Sequence, residues 1–132
     1  MMKLSIPLMI VFLGTGLSAC TKKEEEKTEL RECAIVRTNL PDSLKLGNQL
    51  NLKMVYAIAN GCGKYHHPET QEEDRSITTR VYAEYPTGNV VCNMQIKYDS
   101  LYVTIFPKLK GIYEVKTGEG TGGLTTDTLV IY

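Results

Sequence analysis

The chain has 132 residues, 15 basic and 15 acidic, and no net charge at pH 7. No basic stripe or DNA-reading motif accompanies that balance, so nucleic acid is not an expected partner. The length favours one domain over several.

The chain opens with Lys3, an apolar stretch from Leu4 to Leu13, and then the small residues Gly14, Thr15, Gly16, Ser18 and Ala19. Charge, apolar stretch and small-residue region follow in the order of a secretory signal. A membrane span needs roughly 20 apolar residues. The uncharged stretch from Leu4 to Ala19 is shorter, and Pro7 interrupts it. The four residues "LSAC", Leu17–Cys20, resemble a bacterial lipobox. That resemblance implies removal of residues 1–19 as a lipoprotein signal peptide and acylation of Cys20 with diacylglyceryl and palmitate-type chains. One acyl chain holds a protein on a membrane only marginally, whereas two or more anchor it stably. The expected partner of the N-terminus is therefore a membrane, held through lipid and not spanned.

Residues 20–30 are the lipidated cysteine and a charged tether. "TKKEEEKTE" has no apolar residue to bury and should stay solvated. Glu24, Glu25 and Glu26 resemble the acidic export signal behind the lipidated cysteine of Bacteroidota surface lipoproteins, while Lys22 and Lys23 depart from it. The resemblance implies an outer-membrane anchor and display at the cell surface. A periplasm-facing anchor is the alternative.

Residues 31–132 form the expected domain. Ala34 to Thr38 reads as a strand, followed by the turn-like "LPDSLKLGN". In "NQLNLKMVYAIA", Leu50, Leu52, Met54, Tyr56 and Ile58 alternate with Asn51, Lys53, Val55 and Ala57, the period of a strand. Gly63 to Ser76 reads as a long polar loop, and Ile77 to Tyr85 as a strand. "VVCNMQIKY" alternates again, with Cys92, Met94, Ile96 and Tyr98 on one face. "YDS" reads as a turn. "LYVTIF" puts Leu101, Val103 and Ile105 together, "IYEV" pairs Tyr113 with Val115, and "TTDTLVIY" pairs Leu129 with Ile131. "YPTGN", "FPKLKG" and "GEGTGG" punctuate the strands. About seven short strands and no helical stripe predict an all-β fold, a single β-sandwich.

"AIANGCGKY", Cys92 and "FPKLKGIYEV" resemble small Ig-like lipoprotein domains of gut Bacteroidota over Leu40 to Tyr132. The resemblance implies an Ig-like sandwich. No tryptophan is present to pack on an inter-sheet disulfide, so immunoglobulin function is not implied.

Of four cysteines, lipidation of Cys20 leaves Cys33, Cys62 and Cys92. An oxidising compartment permits one bridge. Cys62–Cys92 is preferred, because Cys62 ends a strand where a turn can bring a partner beside it. Chain entropy for that loop gives about 3.7 kcal/mol of stabilisation. Cys33 is then a buried free thiol; its pairing with Cys62 or Cys92 is the alternative.

The Gly63–Ser76 segment holds Tyr65, His66, His67 and Glu69, a candidate binding loop for a surface protein or glycan. His66, His67, Glu69, Glu72, Glu73 and Asp74 also mix imidazole with carboxylate, ligands for zinc or a similar ion. Adjacent histidines in a regular strand would point to opposite sides, so only a turned backbone lets both reach one ion. Neither HExxH nor EF-hand spacing is present. Eight tyrosines against two phenylalanines and no tryptophan leave room for an exposed aromatic face. Tyr113 is expected to pack inward or bond a turn carbonyl. "GEGTGG" lacks the lysine-serine or lysine-threonine ending of a phosphate loop, and no cofactor is expected.

With no Ser-His-Asp set and no paired carboxylates on defined strands, the expected function is noncatalytic. The chain reads as a membrane-anchored surface lipoprotein that binds a protein or glycan, or supports an outer-membrane complex. A small metal-dependent hydrolase using His66 and His67, and a proteinase inhibitor presenting an extended loop, are the alternatives.

Overall fold

The computed structural model describes residues 25–132. The expected signal peptide, Cys20 and the first part of the tether lie outside the described residues. Within them the chain forms eight strands and no helix: β1 (Thr28–Thr38), β2 (Ser43–Leu44), β3 (Leu50–Ile58), β4 (Lys64–Glu73), β5 (Ser76–Pro86), β6 (Lys97–Ile105), β7 (Gly111–Gly118) and β8 (Leu124–Ile131). The fold is an all-β sandwich.

The two strands that alternate most cleanly supply much of the core. Leu50, Leu52, Met54, Tyr56 and Ile58 of β3 are buried, as are Ile77, Thr79, Val81, Ala83 and Tyr85 of β5. Tyr113 and Val115 of β7, Leu129 and Ile131 of β8, Ile105 of β6 and Cys33 of β1 join them. Tyr113 does pack inward, and its hydroxyl accepts a hydrogen bond from the Leu109 N–H at 3.1 Å instead of bonding a carbonyl.

β1 belongs to both sheets. Its first half, Thr28 to Cys33, pairs antiparallel with β5; its second half, from Ala34, pairs antiparallel with β3. The first sheet contains β4, β5, β7, β8, β2 and the first half of β1, and the second contains the rest of β1 with β3 and β6. One edge of β5 is lined by β4. The other is shared: β7 runs parallel along Ser76–Thr79, and β1 takes over from Val81. Glycine lets the chain close this seam. Gly120 has φ +85°, and a Cβ there would lie 2.9 Å from the Ala34 nitrogen. "GEGTGG" is thus a turn shaped to lie against β1.

Four expectations are corrected. The Gly63–Ser76 segment is not a loop but β4 and a tight turn, paired with β5 from Lys64↔Glu84 to Glu73↔Ser76. It lies at a sheet edge and buries little, so its sequence carries no apolar alternation. Residues 90–96 are not in a strand. β3 ends at Ile58, whose partner is Lys97, so nothing continues the ladder for the residues before Lys97. "YDS" is not a turn, because Asp99 and Ser100 pair with Tyr56 and Val55 inside β6. "LPDSLKLGN" is not wholly turn, since Ser43 and Leu44 run parallel to β8. In addition, β1 begins at Thr28, three residues before the expected domain boundary.

Cys62 and Cys92 form a disulfide, with Cα atoms 5.5 Å apart. It ties the β3–β4 turn to the irregular segment before β6, and the Gly61 N–H donates to the Asn93 carbonyl at 2.9 Å beside it. Cys33 is buried and unpaired.

Candidate functional site: an exposed tyrosine face and a histidine pair

Residues directly opposite in an antiparallel ladder share a face. Because Leu50, Leu52 and Met54 face the core, their partners Ile105, Val103 and Leu101 do too. The outward set on β6 is therefore Tyr98, Ser100, Tyr102 and Thr104, opposite Ala57, Val55, Lys53 and Asn51. Tyr98 and Tyr102 are 64% and 66% exposed on β6, the edge strand of the second sheet. Four residues of strand separate them by roughly 14 Å.

The ground beside the rings is low near Tyr98 and becomes polar toward Tyr102. Ala34 and Ala57 pair in the same row as Tyr98. A register shift between Ile35 and Arg37 brings Arg37 opposite Val55. At the far end Thr104 donates to Asn51 Oδ1 at 3.1 Å, and Gln49 donates to the same oxygen at 3.1 Å. Lys53 Nζ lies 5.9 Å from the Tyr102 ring centroid, a cation beside an aromatic face. The face offers aromatic rings, amides, hydroxyls and two cations on an open surface.

The residues expected to form a binding loop are divided by the hairpin. Tyr65 shares the inward side of β4 and its ring lies 5.8 Å from that of Tyr56. His66 and His67 lie on the other side. The register moves from Tyr65↔Ala83 to His67↔Tyr82, so His66 is the extra residue of a β-bulge. The bulge defeats the expected opposition of adjacent histidines. Their Nδ1 atoms come within 2.6 Å, and the His67 ring stacks on Tyr82 with centroids 5.2 Å apart. Glu69 Oε1 lies 3.7 Å from His67 Nε2. Glu72 sits five residues beyond His67, roughly 17 Å along the strand. It and Asp74 instead line a hollow with Lys108, Leu109 and Tyr113. The structure thus brings together His66, His67 and Glu69, and leaves Glu72, Glu73 and Asp74 at the other end. Among the described residues no group of three His, Cys, Asp or Glu side chains is gathered to hold a metal ion.

In the sequence Tyr98 falls in step with Cys92, Met94 and Ile96, and Tyr102 is one of eight tyrosines with no face assigned. Their shared outward face was hidden because "YDS" reads as a break. Treating residues 97–105 as one strand opposite 50–58 would have found it.

The family model for the ORF11 beta-sandwich domain matches residues 52–129. The chain belongs to the ORF11 beta-sandwich domain family. The span matched to that domain runs from within β3 into β8, and so includes the disulfide, the histidine pair and both exposed tyrosines. No curated protein and no solved structure matches the chain.

Proposed function

We propose that this chain is a noncatalytic, membrane-anchored module that binds a glycan on the outer face of its second sheet. The observation that carries the reading is the pair Tyr98 and Tyr102, both exposed on one face of β6. Tyrosine rings offer apolar faces for the C–H side of a sugar, and Asn51, Thr104, Ser100, Lys53 and Arg37 offer partners for its hydroxyls. Titration with oligosaccharides, followed by the amide resonances of β3 and β6, tests it.

The anchor in this proposal is lipid on Cys20, in an outer-membrane lipoprotein of Bacteroidota type displayed at the cell surface. "LSAC" and Glu24–Glu26 support that reading. Cys20→Ser should move the protein from the membrane to the soluble fraction, and external protease on intact cells should reach the wild type. Retention of the variant in the membrane, or protection until lysis, would count against anchor and display respectively.

A protein partner is the second reading. The disulfide-held segment before β6 presents Val91 and Met94, 98% and 83% exposed, with Val90 and Ile96 beside them. Such a grouping of exposed apolar residues is uncommon on a surface without a partner.

A further inference from the structure

The histidine pair lies on the outer face of the first sheet, away from the tyrosine face. We propose that His66 and His67 form a two-nitrogen chelate for a divalent transition-metal ion of the copper or zinc kind, with Glu69 as the residue that positions His67. The bulge makes this possible by placing neighbouring imidazoles on one side of the strand. Nδ1 of His66 lies 2.6 Å from Nδ1 of His67. Two N–H groups cannot face each other at that separation, so at least one of the nitrogens presents a lone pair.

In the proposed site His67 is that one: Glu69 Oε1 lies 3.7 Å from its Nε2, outside hydrogen-bond distance, and closes on an Nε2–H when the ion binds. His67 Nδ1 is then the bare nitrogen, and stacking on Tyr82 fixes the ring that carries it. His66 needs only to carry its proton on Nε2 for both Nδ1 lone pairs to converge. A neutral pair then takes the ion without net loss of a proton. Imidazole nitrogen suits zinc and copper, with bonds of about 2.0–2.1 Å to zinc. Two such bonds at tetrahedral or right-angle geometry put the nitrogens roughly 2.9–3.3 Å apart. The exposed His66 side chain reaches this by opening less than about 1 Å. Water fills the remaining positions, which makes the site open and exchangeable.

The test is titration of the untagged full chain with zinc chloride, read by the imidazole resonances in NMR, and with copper(II), read by EPR. The expected result is one equivalent bound, shifts at the His66 and His67 rings, and two-nitrogen hyperfine structure with copper. His66→Ala and His67→Ala should each abolish the equivalent. Glu69→Gln should weaken it by about 10–100-fold, the usual effect of removing an outer-shell carboxylate. These side chains are exposed or half-buried, and an unchanged amide spectrum outside β4 and β5 will show that the variants are folded. Binding that is the same in either histidine variant, or a lack of binding at millimolar zinc and copper, overturns the proposal. Histidine-dependent binding unaffected by Glu69→Gln overturns the role of Glu69.

Discussion

Arg80 donates to Glu32 across the seam where β1 and β7 share one edge of β5, with Nη1 2.5 Å from Oε1. The other carboxylate oxygen accepts the Gly122 N–H at 3.1 Å. One side chain thus ties β1 to β5 and to the turn before β8. Its side chain is 11% exposed, so it forms its bonds in surroundings that weaken water's competition. Glu32→Ala leaves both the guanidinium and the amide without their partner. We expect a loss of about 2 kcal/mol, measured by urea unfolding.

The glycines of the same turn should differ. Gly120 and Gly122 both have positive φ, +85° and +87°. Only at Gly120 does a new Cβ meet backbone, the Ala34 nitrogen at 2.9 Å; at Gly122 nothing lies within 4 Å. Gly122→Ala should cost about 1 kcal/mol for the left-handed conformation alone. Gly120→Ala should cost clearly more, because β1 itself must move. Equal unfolding midpoints for the two variants would contradict the close approach.

The disulfide supports a region with little regular hydrogen bonding. Cys62→Ser with Cys92→Ser should lower stability by about 3.7 kcal/mol in the chain-entropy account. Denaturant unfolding of the double variant measures it.

Cys33 should give the domain an alkaline dependence. Burial first, and the Glu32 charge second, push its thiol from 9.0 up to about 11. The folded state therefore holds this proton more tightly than the unfolded chain does. Its contribution is complete below pH 9 and is lost as pH rises from about 9 to about 11. Cys33→Val should flatten that part of the stability profile relative to wild type, and native Cys33 should resist alkylation at pH 8.

Strands with one buried face were legible in the sequence. Leu50 to Ile58 and Ile77 to Tyr85 show alternation because every second side chain enters the core. β4 was not, because an edge strand exposed on most positions leaves no apolar period. Val90 to Ile96 gave the opposite error: alternation was present, but β3 had no residues left to pair with it. The histidine pair was visible as composition, while its geometry depends on a bulge that no residue type announces. Tyr98 and Tyr102 became a face only when β6 was seen to run unbroken past Asp99.

Glycan binding at that face is tested most directly by titrating the chain with hexaoses of β-linked glucose, xylose and mannose, following amide shifts. At least one should perturb resonances of Leu50–Ile58 and Lys97–Ile105. Tyr98→Ala with Tyr102→Ala should then weaken binding by at least about tenfold, a loss of about 1.4 kcal/mol, at an unchanged unfolding midpoint. No binding across the three sugars, shifts confined to other strands, or equal affinity in the double variant would contradict the assignment.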